Sequence, residues 1–386
     1  MHTLLRNCLT INLDNGDLVK KDILIKEGKL FQISEAITDI PDDCLIMDIN
    51  EHYVLPGFID CHTHLGIIEE ATGKIGVDNN ETSDSVTPHL RALDAINSKD
   101  IAFKDAIKAG VTTVMVTPGS NNAVGGLNAV IKTAGNIIDQ MVVRSPAGLK
   151  VALGENPITT YGAKNMCPVT RMGTTALIRE LFMMAEDYME EQKNNKIRKR
   201  DIRLEAVIPL LKGEISLRVH AHRADDIITA VRIAEEFKLK KLVIEHGTEA
   251  DLVADYLVER NIPVAFGPML TPRIKMELKS RNYGSVLKLT NAGVKVSLIS
   301  DHPYNAVEQL RTVAALAISE GLSEHAALKC LTINPAEILE CHQRIGMINE
   351  GMDADIIVLT GEPFDLHSKV KLTIINGNVV YRKEDV

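Results

Sequence analysis

Eight short apolar runs between residues 54 and 301, separated by longer amphipathic stretches, constrain what this chain can fold into more than any other feature of the sequence. They are VLPGFIDCHTHL (54–65), GVTTVMVTP (110–118), DQMVVR (139–144), GLKVALG (148–154), ISLRVHAH (215–222), KLVIEHG (241–247), IPVAFGP (262–268) and GVKVSLISD (293–301). Runs this short and apolar read as strands buried on both faces. The stretches between them carry helix signals: ADDIITAVRIAEEFK opens on acidic residues and EADLVADYLVERN closes on Asn. Buried strands alternating with helices specify parallel βαβ units, and eight of them predict an α/β fold with a (β/α)8 TIM barrel over residues 55–343.

The two ends have another texture. LLRNCLTIN, DILIKEGKLFQIS and DCLIMDIN alternate around the turn signals DNGD and KEGK, and the same pattern returns in DADIIVLTG and VKLTIINGNVVYR. Residues 1–54 and 344–386 are therefore expected to form one small, sandwich-like β domain from both termini. The charged run MEEQKNNKIRKRDIR (189–203) reads as a solvated helix end and loop.

Lys and Arg number 43 against 52 Asp and Glu, a net charge of −9, and aromatic residues make up only 4%. An acidic surface gains nothing from counterion release, and so few aromatics offer no base-stacking platform, which excludes nucleic acid as the main partner. Six cysteines without a CxxC pair, no 18-residue apolar stretch and no signal-peptide pattern give the expectation of a cytoplasmic protein that neither enters nor spans a membrane. The expected partner is a small molecule; a homo-oligomer is compatible with a barrel of this size.

The chemistry concentrates at the carboxyl ends of the runs. His62 and His64, in IDCHTHLG, sit at i and i+2, so both imidazoles share one strand face and can bind one cation. His220 and His222 repeat the spacing on the fifth run; His220, the deeper of the two, is the expected ligand and His222 a substrate contact. His246 ends the sixth run and Asp301 the eighth. Barrels of this type build their active sites at that end of the strands. Together these residues predict a divalent metal centre of one or two ions, with zinc the default for His and carboxylate donors and iron, manganese or nickel fitting the same donors.

Two loops offer substrate contacts. TPGSNNAVGGLN (117–128) reads as a flexible segment in which Gly125 and Gly126 allow close approach, or as a simple turn. ENPITTYGAKNMCPVTRMG (155–173) is long enough for a lid. Its Arg171, with Tyr161 and Lys164, could reach a substrate carboxylate, which would make the substrate anionic; the alternative is that Arg171 pairs within the loop or with a neighbouring subunit. His302 reaches the site only if a turn follows Asp301. His2, His52, His89, His325, His342 and His367 lie away from strand ends and carry no expected role.

PGFIDCHTH, the single His positions on the fifth and sixth strands, Asp301 on the eighth and the closing NPAEILE…GMINEGMDADIIVL resemble the metal-dependent amidohydrolase superfamily, imidazolonepropionases among its members. The resemblance covers essentially the whole chain. It implies that His62 and His64 hold one metal, and that His220 and His246 complete the site or bind a second ion. It also implies that Asp301 acts as general acid/base on a metal-bound hydroxide attacking an amide-type carbon. On the fourth strand such relatives carry either a carboxylated Lys or a Glu, and GLKVALGENP offers Lys150 and Glu155. Glu155 follows the strand at the mouth, whereas Lys150 lies five residues back, roughly 16 Å of extended chain, so position favours Glu155. The substrate expected is a cyclic or linear amide of a small molecule, hydrolysed at a carbon–nitrogen bond other than a peptide bond. An N-acyl deacetylase or a dipeptidase is the alternative, and a catalytically silent scaffold the alternative class. The sequence RADD after His222, in place of an HxxE pattern after His220, counts against the ring deaminases.

Overall fold

The computed structural model describes residues 2–194 and 199–383. Strands from both ends of the chain share one eight-stranded sheet. His2–Ile11 pairs with Leu18–Lys26, Cys44–Asp48 and Tyr53–Pro56, and Tyr53–Pro56 pairs in turn with Ile356–Leu359, which leads to Val370–Ile375 and Asn378–Arg382. Two of its hairpins close on residues with positive φ at both central positions, Glu27 (50°) with Gly28 (79°) and Asn376 (49°) with Gly377 (74°). That is the type I′ geometry whose twist matches the flanking strands. Leu5, Ile23, Ile25, Val54, Ile356 and Ile374 bury one face of this sheet as a core of its own.

The middle of the chain forms two mixed sheets. In one, Phe58–Thr63 runs parallel to Val111–Val116, and Ala129–Lys132 pairs antiparallel with the latter. In the other, Gly148–Ala152, Ser216–Ala221, Leu242–His246, Val264–Phe266 and Val296–Leu298 are all parallel, with Val124–Leu127 antiparallel along the first of them. Asn128 alone separates Leu127 from Ala129, so one extended segment serves both sheets. At their other edges the Asp301 N–H donates to the His62 carbonyl (3.2 Å) and the His64 N–H to the His302 carbonyl (2.9 Å). Amphipathic helices such as Ala224–Glu236 and Ser285–Ala292 fall between successive strands. These α/β sheets fit a barrel-containing fold.

Two sequence expectations need correction. The run 139–144 is not a parallel strand: Ile138–Met141 is a helical turn, and Val142–Arg144 pairs antiparallel with Ala129–Lys132. The third position is taken by 124–132, whose first half had read as a flexible loop because two glycines interrupt it. Gly126 is there for a close approach, as a Cβ on it would lie 2.4 Å from the Leu90 carbonyl oxygen at φ +131°. Of the charged run 189–203, residues 195–198 lie outside the described residues; Asp201 caps the Ile202–Leu211 helix that follows. No described helix is long and apolar enough to cross a membrane.

A buried ion cluster ties the terminal sheet to the middle. Lys132 pairs with Asp355 and lies 3.1 Å from Asp353, all three side chains at most 5% exposed. Asp353 also holds Lys29 (2.6 Å) and Arg344 (3.0 Å). Removing one partner of a buried pair costs about 3–5 kcal/mol because the other charge is stranded. Lys132→Met should therefore lower the unfolding free energy in urea by about 3 kcal/mol, the lower end, since Asp353 keeps two cations.

Candidate metal centre

The strand ends deliver their histidines to one cavity of about 240 Å³, lined by His62, His64, Lys150, His220, His222, His246 and Asp301. Two sets of ligand atoms lie within 4.8 Å of one another: His220, His222 and His246; and His62, His246 and Asp301. Asp301 Oδ1 stands 3.1 Å from His62 Nε2 and 3.4 Å from His64 Nε2. The rim is polar, with Asn79, Asn80, Asn121, Asn156, Lys275 and Tyr304. A larger groove of about 580 Å³ opens at the amino ends of the strands, but its Lys241 and Lys295 pair with Glu340 and Glu337, and no chemistry converges there.

Hydrogen bonds fix which imidazole nitrogen faces the cavity. His64 Nδ1–H donates to the Thr117 carbonyl (2.7 Å) and His246 Nδ1–H to the Gly267 carbonyl (2.9 Å). A carbonyl only accepts, so each proton sits on Nδ1 and each Nε2 lone pair is free. His222 Nδ1 meets the Thr248 hydroxyl (2.8 Å). His62 Nε2 and both nitrogens of His220 are buried without a directed hydrogen bond.

Burial disfavours charge on these rings, and their neighbours reinforce it. His220 and His222 are held well below the ordinary histidine value by burial and by nearby His246 and Lys275, and His246 is pushed down to about 3, mainly by burial. In His62 burial acts the same way, but the carboxylates of Glu245 and Asp301 outweigh it and raise the ring. Burial opposes ionisation of Asp301, yet the imidazoles of His246, His62 and His64 hold it well below the usual carboxylate range. Clustered neutral imidazoles with inward lone pairs, beside an ionised carboxylate, are a donor set that fits a divalent ion.

The structure sets the two fourth-strand residues apart. Glu155 opens the Glu155–Gly162 helix and does not line the cavity; its N–H donates to Glu277 Oε1 (2.6 Å). Gly154, at φ +82°, turns the chain away just before it. Lys150 is 1% exposed and lines the cavity; its amine is depressed to about 8, chiefly by burial, and finds no hydrogen-bond or ion-pair partner among the described residues. Arg171 lies outside too, bonded to buried Asp226 (3.0 and 3.2 Å). The Tyr161 hydroxyl serves the Asp84 carbonyl (2.7 Å) and Asn122 (2.8 Å), and Lys164 the Thr82 carbonyl (2.6 Å). His302 is buried behind Asp301, its Nδ1 accepting from the Val307 N–H (3.2 Å). Sequence reasoning missed Glu245 and Arg218 below the cavity and Lys275 at its rim; a charged residue inside an apolar strand was the available signal for the first two.

The amidohydrolase family model matches residues 53–380. The chain belongs to the amidohydrolase family. The crystal structure of an amidohydrolase from Thermotoga maritima MSB8 superposes with a TM-score of 0.95 at 43% identity, over 99% of this chain and 100% of that one. Amidohydrolase tasK of Hapsidospora irregularis is 26% identical over 93% of this chain and 40% of its own length. The imidazolonepropionase of Thermoplasma acidophilum is 22% identical over 94% of this chain and 90% of its own. This amidohydrolase thus spans less than half of tasK but nearly all of the other two.

Because Arg171 neutralises a buried carboxylate away from the cavity, Arg171→Met should leave bound metal per chain unchanged by elemental analysis. Thermal or urea melting should show a loss of about 1–3 kcal/mol from stranding Asp226.

Proposed function

We propose that this protein is a metal-dependent hydrolase that cleaves a carbon–nitrogen bond of a small cyclic or linear amide. Its two central sheets are read as one closed barrel with seven parallel strands and one antiparallel segment at the third position, and residues 1–54 and 344–386 as a flanking β domain. The observation that carries this reading is the convergence of His62, His64, His220, His222, His246 and Asp301 on one buried cavity. Relatives named imidazolonepropionase support a cyclic amide as the substrate class.

His62, His64, His220 and His246 would hold the ion or ions, with Asp301 beside them. Lys150 replaces Glu155 as the fourth-strand group, because it lines the cavity and its amine has no ion-pair partner among the described residues. When bound, a divalent ion supplies Lewis acidity that brings the pKa of water from 15.7 to about 7. Asp301, kept ionised, accepts the proton of the attacking water. It then returns that proton to the leaving nitrogen as the carbon–nitrogen bond breaks, giving a carboxylic acid and an amine. His222, tethered by Thr248, is placed to hydrogen-bond the substrate. The Asn80, Asn121 and Asn156 amides at the rim suit a polar ligand, and Lys275 rather than Arg171 is the cation that an anionic group would meet.

Cyclic amides, N-acyl compounds and dipeptides should be screened against metal-reconstituted protein. Turnover of one class is expected with one solvent oxygen in the product, and Asp301→Asn should cut kcat by roughly 10²–10⁴-fold with metal retained. Protein that takes up no stoichiometric metal would overturn the reading in favour of a silent scaffold. A separate measurement decides the fourth strand: Lys150→Met should lower metal content, whereas Glu155→Gln should not.

A further inference from the structure

We propose that Glu245 and Arg218 are positioning residues for the metal centre: their buried ion pair holds the His62 ring by Nδ1 and turns Nε2 to the ion. The inference rests on the metal reading above. Both side chains and the His62 ring are essentially inaccessible, at 0–1% exposure. The two oxygens of Glu245 divide their work, Oε2 meeting His62 Nδ1 and Oε1 meeting Arg218 Nε. Arg218 Nη2 also donates to the Cys61 carbonyl (2.8 Å), the backbone immediately before His62. The guanidinium thus ties the carboxylate to the same strand that carries the ring being oriented.

An ionised carboxylate only accepts, so Nδ1 carries the hydrogen of this contact and Nε2 is the nitrogen left to face the cavity. Arg218 fixes the carboxylate in turn: its Nε holds Oε1 while its Nη2 holds the Cys61 carbonyl, so Glu245 cannot swing away from the ring. His64 and His246 have Nδ1 held by backbone carbonyls; of these three rings, His62 is the one whose Nδ1 is held by a charge. A carboxylate partner also makes the opposite nitrogen a stronger donor.

Stability alone does not account for the pair. Barrel interiors are ordinarily filled by branched aliphatic side chains, and replacing a buried ion pair by apolar residues of similar volume is often neutral or stabilising. The arrangement therefore answers a need of the centre.

Zinc affinity can be measured by competition against a chromogenic chelator, with far-UV circular dichroism confirming folding. Glu245→Gln offers one acceptor where Arg218 and His62 need two, and should bind zinc roughly 10–100-fold more weakly. The double variant Arg218→Met with Glu245→Leu, designed to keep the volume without stranding a charge, should show the same loss. Folded variants binding zinc as tightly as the wild type would overturn the proposal; a merely structural pair would shift the melting temperature and leave affinity alone. A second arm needs no variant. Long-range ¹H–¹⁵N spectra of metal-free wild type should show a proton on His62 Nδ1, and finding Nδ1 unprotonated would overturn the proposal even in a fully folded protein. Wild type that binds no zinc would instead sink the metal reading, while this measurement still judges the clamp.

Discussion

Imidazole nitrogens that bulk water cannot satisfy set the terms for the centre of this molecule. Five histidine rings are at most 4% exposed around one cavity, and burial keeps most of them neutral. A neutral ring must place one N–H and one lone pair, and each misplaced group costs about 1–3 kcal/mol. The carbonyls of Thr117 and Gly267 and the carboxylate of Glu245 take the N–H side of three rings. The lone pairs are left converging, and a cation is the species that satisfies several at once.

What the sequence made legible follows from periodicity. His62 with His64 and His220 with His222 share faces because a strand repeats every two residues, and their carboxyl-end positions locate the cavity mouth. Lys150 was placed too low because depth was measured along extended chain. The strand ends at Ala152, Gly154 turns the backbone aside at φ +82°, and the long lysine side chain spans the remaining depth. Glu245 and Arg218 escaped notice because pattern reading assigns a charged residue to a surface, and only the pairing across three strands shows what they touch.

The segment 124–132 shows the opposite failure. Gly125 and Gly126 lower the strand signal of 124–132, yet Gly126 is required there by the Leu90 carbonyl packed against it. An antiparallel segment has a further consequence, since its amino end, not its carboxyl end, adjoins the mouth. Ser120 and Asn121 thereby line the cavity, with Ser120 bonded to Asn156 (2.6 Å) and the Asn121 N–H to Asn80 (2.9 Å). At the far end of the same segment Lys132 meets Asp353 and Asp355 from the terminal sheet. One short segment thus couples the rim of the site to the lock between the sheets.

Backbone strain marks the remaining difficulty. Glu245 and His246 are neighbours, and on a regular strand their side chains would face opposite ways. Both face inward here, Glu245 towards His62 and His246 into the cavity, because His246 takes φ +73° and turns the chain as the strand ends. Asp301 does the same at φ +57°. Left-handed backbone at a residue other than glycine costs of order 1–3 kcal/mol. Glycine would relieve that strain at either position but would remove the imidazole or the carboxylate. Other residues of the chain also take positive φ, Glu27 and Asn376 in hairpin turns among them, but His246 and Asp301 do so at strand ends within the His62–His246–Asp301 group. Strain at two candidate ligands is intelligible if their placement, and not local stability, is what those strand ends serve.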